Sequence, residues 1–232
     1  MALNVSKNIV PHRCGGLFMA LALLASWVIP RSAAGQSVPS VATGNVEVGL
    51  FGGESYGLDR FRPMAGANVA YGLSPRFFPF LEGSYLPGIL RQAVSSTGQV
   101  TASEQGKFNM TDFNGGVHFR LLRPESRVVP YLVAGVGLIH ESAGTLPLCV
   151  TVGSYSRCTP GFTVPASNLF AVNFGGGLRF FFTEHLALRL EFKAYQPTGE
   201  TAAVSTLNQA SGEKVSAHLF YRFAIGPVFQ FR

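Results

Sequence analysis

Charged side chains are scarce in this chain. Asp, Glu, Lys and Arg make up 13% of its 232 residues, where a soluble domain carries nearer a quarter. Long apolar runs are also missing beyond the first thirty residues. That excludes a bundle of membrane helices, because each helical span needs about 20 consecutive apolar residues. Runs of basic residues are absent too. The formal charge is +6, but the cations are scattered singly, so the basic patch of a nucleic-acid binder is not there. The sequence holds neither a phosphate-cradling glycine loop nor zinc-type His/Cys spacing, and no cofactor, metal site or nucleic-acid partner is expected. What it does hold is 47% apolar residues, 27 Gly and 20 Phe. A chain too apolar for a soluble surface, yet without helical spans, is left with the closed β-barrel. That is the other backbone arrangement that satisfies all its polar groups in lipid.

The first 34 residues read as an address rather than a fold element. Lys7, His12 and Arg13 precede an apolar core at 17–29, too short to span a bilayer, and Pro30-Arg31 ends it. Ser32-Ala33-Ala34 offers small residues for cleavage after Ala34, with cleavage after Gly35 a close second. Removing Lys7, Arg13 and Arg31 lowers the net charge to about +3. The expected organisation is a cleaved signal peptide at 1–34, a short periplasmic lead-in at 35–44 and a barrel at 45–232. Cys14 leaves with the signal. Cys149 and Cys158 remain, an even pair nine residues apart in an oxidising compartment, for which a disulfide is expected.

From residue 45 onward short alternating segments recur, and eight are read: 45–53, 61–73, 77–86, 108–121, 129–140, 168–182, 186–195 and 215–232. The connectors alternate between tight ones (around 73–76, 122–127 and 183–185) and longer polar ones (53–60, 87–107, 141–167 and 196–214). Outer-membrane barrels have this rhythm of short periplasmic turns and long external loops. In the segment 186–195, Leu186, Leu188, Leu190, Phe192 and Ala194 take one face. Arg189, Glu191 and Lys193 all share the other, which is the period of a strand with unlike surroundings on its two sides. In the last segment Leu219, Tyr221, Phe223, Ile225, Phe229 and Phe231 likewise oppose Arg222, Ala224, Gly226 and Gln230. A soluble sandwich would show the same alternation, but its polar face should be rich in Lys, Glu, Ser and Thr. Here that face carries Gly and single charges, while Phe and Tyr crowd the apolar face near segment ends, as aromatic girdles do. The fold class expected is all-β, an eight-stranded antiparallel up-and-down transmembrane barrel.

An eight-stranded barrel is just wide enough for side chains to fill it. Glu47, Glu82, Asp112, His118, Arg120, Arg179, Arg189, Glu191, Lys193 and Arg222 then point inward as a polar network, because isolated charges there would be costly. Adjacency suggests two groups: Glu82 with His118 and Arg120, and Glu191 with Arg179, Arg189 and Arg222. Gly135, Gly137, Gly175 and Gly177 point inward beside them and leave room for long side chains. Pro79, Pro130 and Pro227 fall inside segments and are expected near strand ends, where a lost ladder bond matters least.

The run Pro130-Tyr131-Leu132-Val133-Ala134-Gly135-Val136-Gly137, the stretch Gly175-Gly176-Gly177-Leu178-Arg179 and the aromatic final segment resemble the small OmpA/OmpX-like outer-membrane barrels. The resemblance covers 45–232. It implies a bacterial outer-membrane location and insertion by the barrel-assembly machinery with periplasmic chaperones. Lipid and lipopolysaccharide would surround a monomer. The ending Phe231-Arg232 departs from the aromatic residue that usually closes the family, and no wall-binding domain is expected after the barrel. The function expected is non-enzymatic, structural or surface-interacting. The 141–167 loop is the candidate for an external ligand, or equally a merely protective loop. The alternative is a narrow ion-conducting pore. A further one is an enzyme similar to the lipid A deacylases, which carry a His-x-Ser pair at the outer rim. His140 and Ser142 stand two apart here, but Glu141 has the wrong parity to orient the imidazole, and Ala143 replaces the family's Asn.

Overall fold

The computed structural model describes residues 43–58, 61–97, 99–121, 126–198 and 219–231. The expected signal peptide and most of the lead-in lie outside the described residues. Ten strands follow one another: β1 (Val46–Tyr56), β2 (Arg62–Tyr71), β3 (Phe77–Thr97), β4 (Val100–Arg120), β5 (Val128–Glu141), β6 (Gly144–Val152), β7 (Tyr155–Val164), β8 (Ser167–Phe181), β9 (Leu186–Thr198) and β10 (Phe220–Phe231). Every pairing is antiparallel. The order β3-β2-β1-β10-β9-β8-β5-β4, closed by β3 on β4, makes an eight-stranded barrel. No helix among the described residues is long and apolar enough to cross a membrane.

The register sets the barrel's shape. Moving between partners from Glu47 passes Ala70, Phe80, Gly116, Gly135, Asn173, Tyr195 and Phe220. The path returns to β1 beside Gly57, ten residues beyond its start. Eight strands with that stagger tilt by about 40° and leave an interior that side chains fill. Every residue on this path faces inward, so the path is also a section of the core.

The outward face is an apolar belt. Leu81 is 67% exposed, Phe113 63%, Phe174 58% and Leu138 55%. The inward face buries Arg120, Arg179, Arg189 and Lys193 at 2% exposure or less. A protein in water would not bury its cations and expose its phenylalanines; in a bilayer both placements are favourable. The chain is a transmembrane β-barrel. Pro79, Pro130 and Pro227 all sit two to four residues from a strand end, with outward parity.

The long connectors differ from the expectation of polar loops. The segment 87–107 is mostly strand: β3 and β4 continue past the barrel as a paired hairpin to Thr97 and Val100. Between Leu86 and Ile89 one extra residue enters β3, and Gly88 there has φ +66°. The Asn109 side-chain oxygen accepts the Gly88 amide at 3.0 Å. This bulge moves the inward set from even to odd positions, so that Leu86 and Ile89 are both buried. The segment 141–167 holds two strands. β6 pairs with the outer part of β4, and β7 pairs with β6. The outcome is a four-stranded external sheet, β3-β4-β6-β7, continuous with the barrel wall.

Candidate functional site

Inside the barrel the charged side chains occupy a middle zone. At the short-turn end it is capped by Phe78, Val129, Phe181, Ala187 and Val228. At the external end lies a larger apolar cluster that includes Phe51, Met64, Leu86, Met110, Ile139 and Phe220. On β8 and β9 the inward positions near the strand ends are apolar or aromatic (Leu169 and Phe181, Ala187 and Tyr195), and those between them include Asn173, Arg179, Arg189, Glu191 and Lys193.

All ten residues expected in the interior are buried there, but their pairing differs from the expected groups. Glu47 binds Arg120 and also Arg179, the latter at 2.9 Å. Arg179 Nη2 donates to His118 Nδ1 at 2.8 Å, and His118 Nε2 lies 3.4 Å from Glu191. Lys193 Nζ bridges Glu82 and Glu191, at 2.9 Å from each. Arg222 holds Asp112, and its Nη1 also donates to Tyr195 Oη at 2.6 Å. Glu82 therefore meets Lys193, with Arg189 and Arg222 each at 3.6 Å, and not His118 or Arg120. Glu191 meets Lys193, His118 and, at 3.9 Å, Arg189, and not Arg179 or Arg222. Adjacency in the wall failed as a guide because these side chains are long enough to cross the lumen. Glu82 on β3 meets cations of β9 and β10, on the opposite wall.

Neutral partners that the sequence pattern did not single out complete the zone. Tyr131 Oη donates to Glu191 at 2.7 Å and Ser84 Oγ to Asp112 at 2.8 Å. Their inward parity was the available signal. Aromatic faces cover the cations: Arg120 lies 3.7 Å from the Phe78 ring centroid, Lys193 4.7 Å from Phe80 and Arg222 4.8 Å from Tyr195. Glycine provides the space. A Cβ at Gly177 would lie 2.5 Å from Tyr131 Oη, and so would displace the hydroxyl that binds Glu191.

At the outer rim, His140 faces outward and its Nδ1 lies 2.8 Å from Asn168 Oδ1, across from it on β8. Asn168 is a partner that the sequence pattern did not suggest. Ser142 Oγ accepts the Asn109 backbone N–H at 2.9 Å rather than bonding His140. Glu141 accepts from Ser167 at 3.2 Å. On the external sheet Cys149 and Cys158 are directly paired and joined by a disulfide. Its tip turns through Gly153, whose φ of +58° opens a two-residue loop to Tyr155. Tyr155 is 84% exposed.

No protein-family model matches the chain, and no curated relative does. Several solved barrels are similar in structure. The N-terminal β-barrel domain of Pseudomonas aeruginosa OprF is 14% identical, with 82% of this chain and 98% of that one covered, at a TM-score of 0.45. Ail, the attachment invasion locus protein of Yersinia pestis, is 13% identical over 82% and 99% at 0.41; it has also been crystallised with the heparin analogue sucrose octasulfate. A major outer membrane protein from Thermus thermophilus is 10% identical over 80% and 99% at 0.47.

Proposed function

We propose that this chain is a non-enzymatic barrel of a bacterial outer membrane, closed along its axis, that acts through the external sheet it carries. The observation that carries this reading is the pair of apolar plugs around a buried network of charges. A permeating ion would have to lose its hydration at both plugs, at a cost of several kcal/mol. The external sheet is the opposite kind of region: it stands clear of the belt, is braced by a disulfide and exposes its tip. Lipid and lipopolysaccharide surround the belt, and the assembly machinery and periplasmic chaperones act before insertion. The closed sheet leaves no free edge in the bilayer, which favours a monomer.

Two measurements test this. Unheated protein folded in detergent should migrate differently from heated protein, and in planar bilayers it should give no discrete current steps. Stable steps would replace this reading with the narrow pore. A variant with 145–163 replaced by a short turn should keep the heat-dependent shift. It should lose binding on a glycan array that includes sucrose octasulfate. Equal binding by both proteins would move the role away from the sheet. Incubation with lipid A should release no acyl chain, since Ser142 and His140 are engaged by Asn109 and Asn168; release that stops in Ser142→Ala would restore the enzyme reading.

A further inference from the structure

The buried charges of the described residues do not balance. The middle zone holds five cations, Arg120, Arg179, Arg189, Lys193 and Arg222, against four carboxylates, Glu47, Glu82, Asp112 and Glu191. Buried Arg62 and Glu104, both engaged elsewhere, leave the difference unchanged. A protonated His118 would widen it.

The geometry shows where the surplus lies. Two cations, Arg120 and Arg179, share the single carboxylate of Glu47, so the surplus lies with them; Arg222 has Asp112, and Lys193 sits 2.9 Å from both Glu82 and Glu191, where Arg189 completes the balance. Arg189 approaches Glu82 and Glu191 only to 3.6 Å and 3.9 Å and lies 4.8 Å from the Phe51 ring centroid, and none of its three guanidinium nitrogens makes a hydrogen bond within the chain. Its direct cross-strand partner on β8 is Arg179, whose Nε also makes none. Like charges in directly opposed positions repel. On its other side Arg189 is paired with Gly226, which brings no side chain. An arginine cannot relieve this by losing its proton, and an uncompensated buried charge is strongly destabilising.

We propose that one monovalent inorganic anion, of the halide class, is a structural part of the lumen, bound by Arg189 together with Arg179. A single negative charge closes the imbalance, and four guanidinium nitrogens are available to donate to it. Because apolar plugs lie at both ends, the anion is taken up as the barrel closes rather than exchanged afterwards.

The test is to fold the full chain from urea with bromide as the only halide, crystallise it and measure anomalous scattering. One bromide peak is expected inside the barrel, within hydrogen-bond reach of Arg189 and Arg179. In parallel, folding in bromide rather than gluconate at equal ionic strength should raise the folded-to-unfolded ratio in urea by about tenfold, as expected when ligand is tenfold above its dissociation constant. Arg189→Gln should abolish that salt difference while retaining the heat-dependent gel shift, so that loss of the site is distinguished from loss of the barrel. A lumen without an anomalous peak, bromide on the outer surface alone, or an unchanged salt difference in Arg189→Gln would each overturn the proposal.

Discussion

The barrel and the external sheet share the continuous strands β3 and β4, yet they obey different rules. Along β10, the side chains from Phe220 to Phe231 alternate strictly between the lumen and the belt. Along β7, the side chains from Tyr155 to Pro160 are all exposed. Two unlike surroundings press on the spanning strands, lipid on one side and a filled polar interior on the other, and each rejects the other's residues. The tip of the external sheet meets water on both faces, and a side is imposed only towards its base, where Glu104 and the small cluster of Phe108, Leu146 and Val164 are buried. Backbone hydrogen bonding alone does not dictate a pattern in sequence; a difference between the two faces does.

The sharpest way to stress that difference is to remove a charge from the barrel interior. Glu47 is shared by Arg120 and Arg179. Glu47→Gln keeps the shape and leaves two buried guanidinium groups without their carboxylate. Removal of one partner from a buried pair destabilises by about 3–5 kcal/mol. The urea midpoint of the detergent-folded protein should fall accordingly, or folding should fail outright. An unchanged midpoint would mean that water, and not Glu47, compensates these arginines.

The same contrast explains what was legible in the sequence. The eight barrel strands were readable because alternation was enforced along them, and the inward parity of Arg189, Glu191 and Lys193 was plain without knowledge of the fold. Reading of β3 stopped at Leu86 because the bulge at Pro87-Gly88 reverses the parity there. The outer part of β4, Val100 to Lys107, was missed because it carries Thr, Ser, Glu and Gln with no apolar side to mark it. β7 was missed for that reason; β6 does alternate, with Leu146, Leu148, Val150 and Val152 on one parity, but it lay inside a segment read as a polar loop around the cysteine pair. Within the lumen, parity told which residues enter but not which ones meet. Glu82 finds Lys193 across the barrel at 2.9 Å, a contact set by side-chain length and lumen width rather than by neighbouring positions.

A second pair of variants compares the outer surfaces. Val136 on β5 is 50% exposed and Val152 on β6 is 49% exposed, so a water-accessibility argument treats them alike. Val136 lies in the belt, between Gly115 and Val172. Val136→Arg should cost about 2–4 kcal/mol, as a cation does on the lipid face near the midplane. Val152→Arg, in water, should stay within about 0.5 kcal/mol of the parent. Equal effects in lipid vesicles would remove the distinction between belt and sheet.

The smallest effect on the barrel should come from the disulfide. Cys149–Cys158 closes a short loop between β6 and β7, for which the chain-entropy model gives about 2–3 kcal/mol. That stabilisation belongs to the local opening of the hairpin. Opening β6 from β4 breaks pairs at Val100–Glu104 only, and leaves the closure of β4 on β5 and on β3 intact. Replacing both cysteines by alanine should therefore speed proteolysis at the 153–160 tip and amide exchange along β7. The heat-dependent gel shift and the urea midpoint should not change. If the midpoint falls with the tip, the external sheet and the barrel form one cooperative unit, and the sheet is a brace for the wall rather than an element free to serve a surface role.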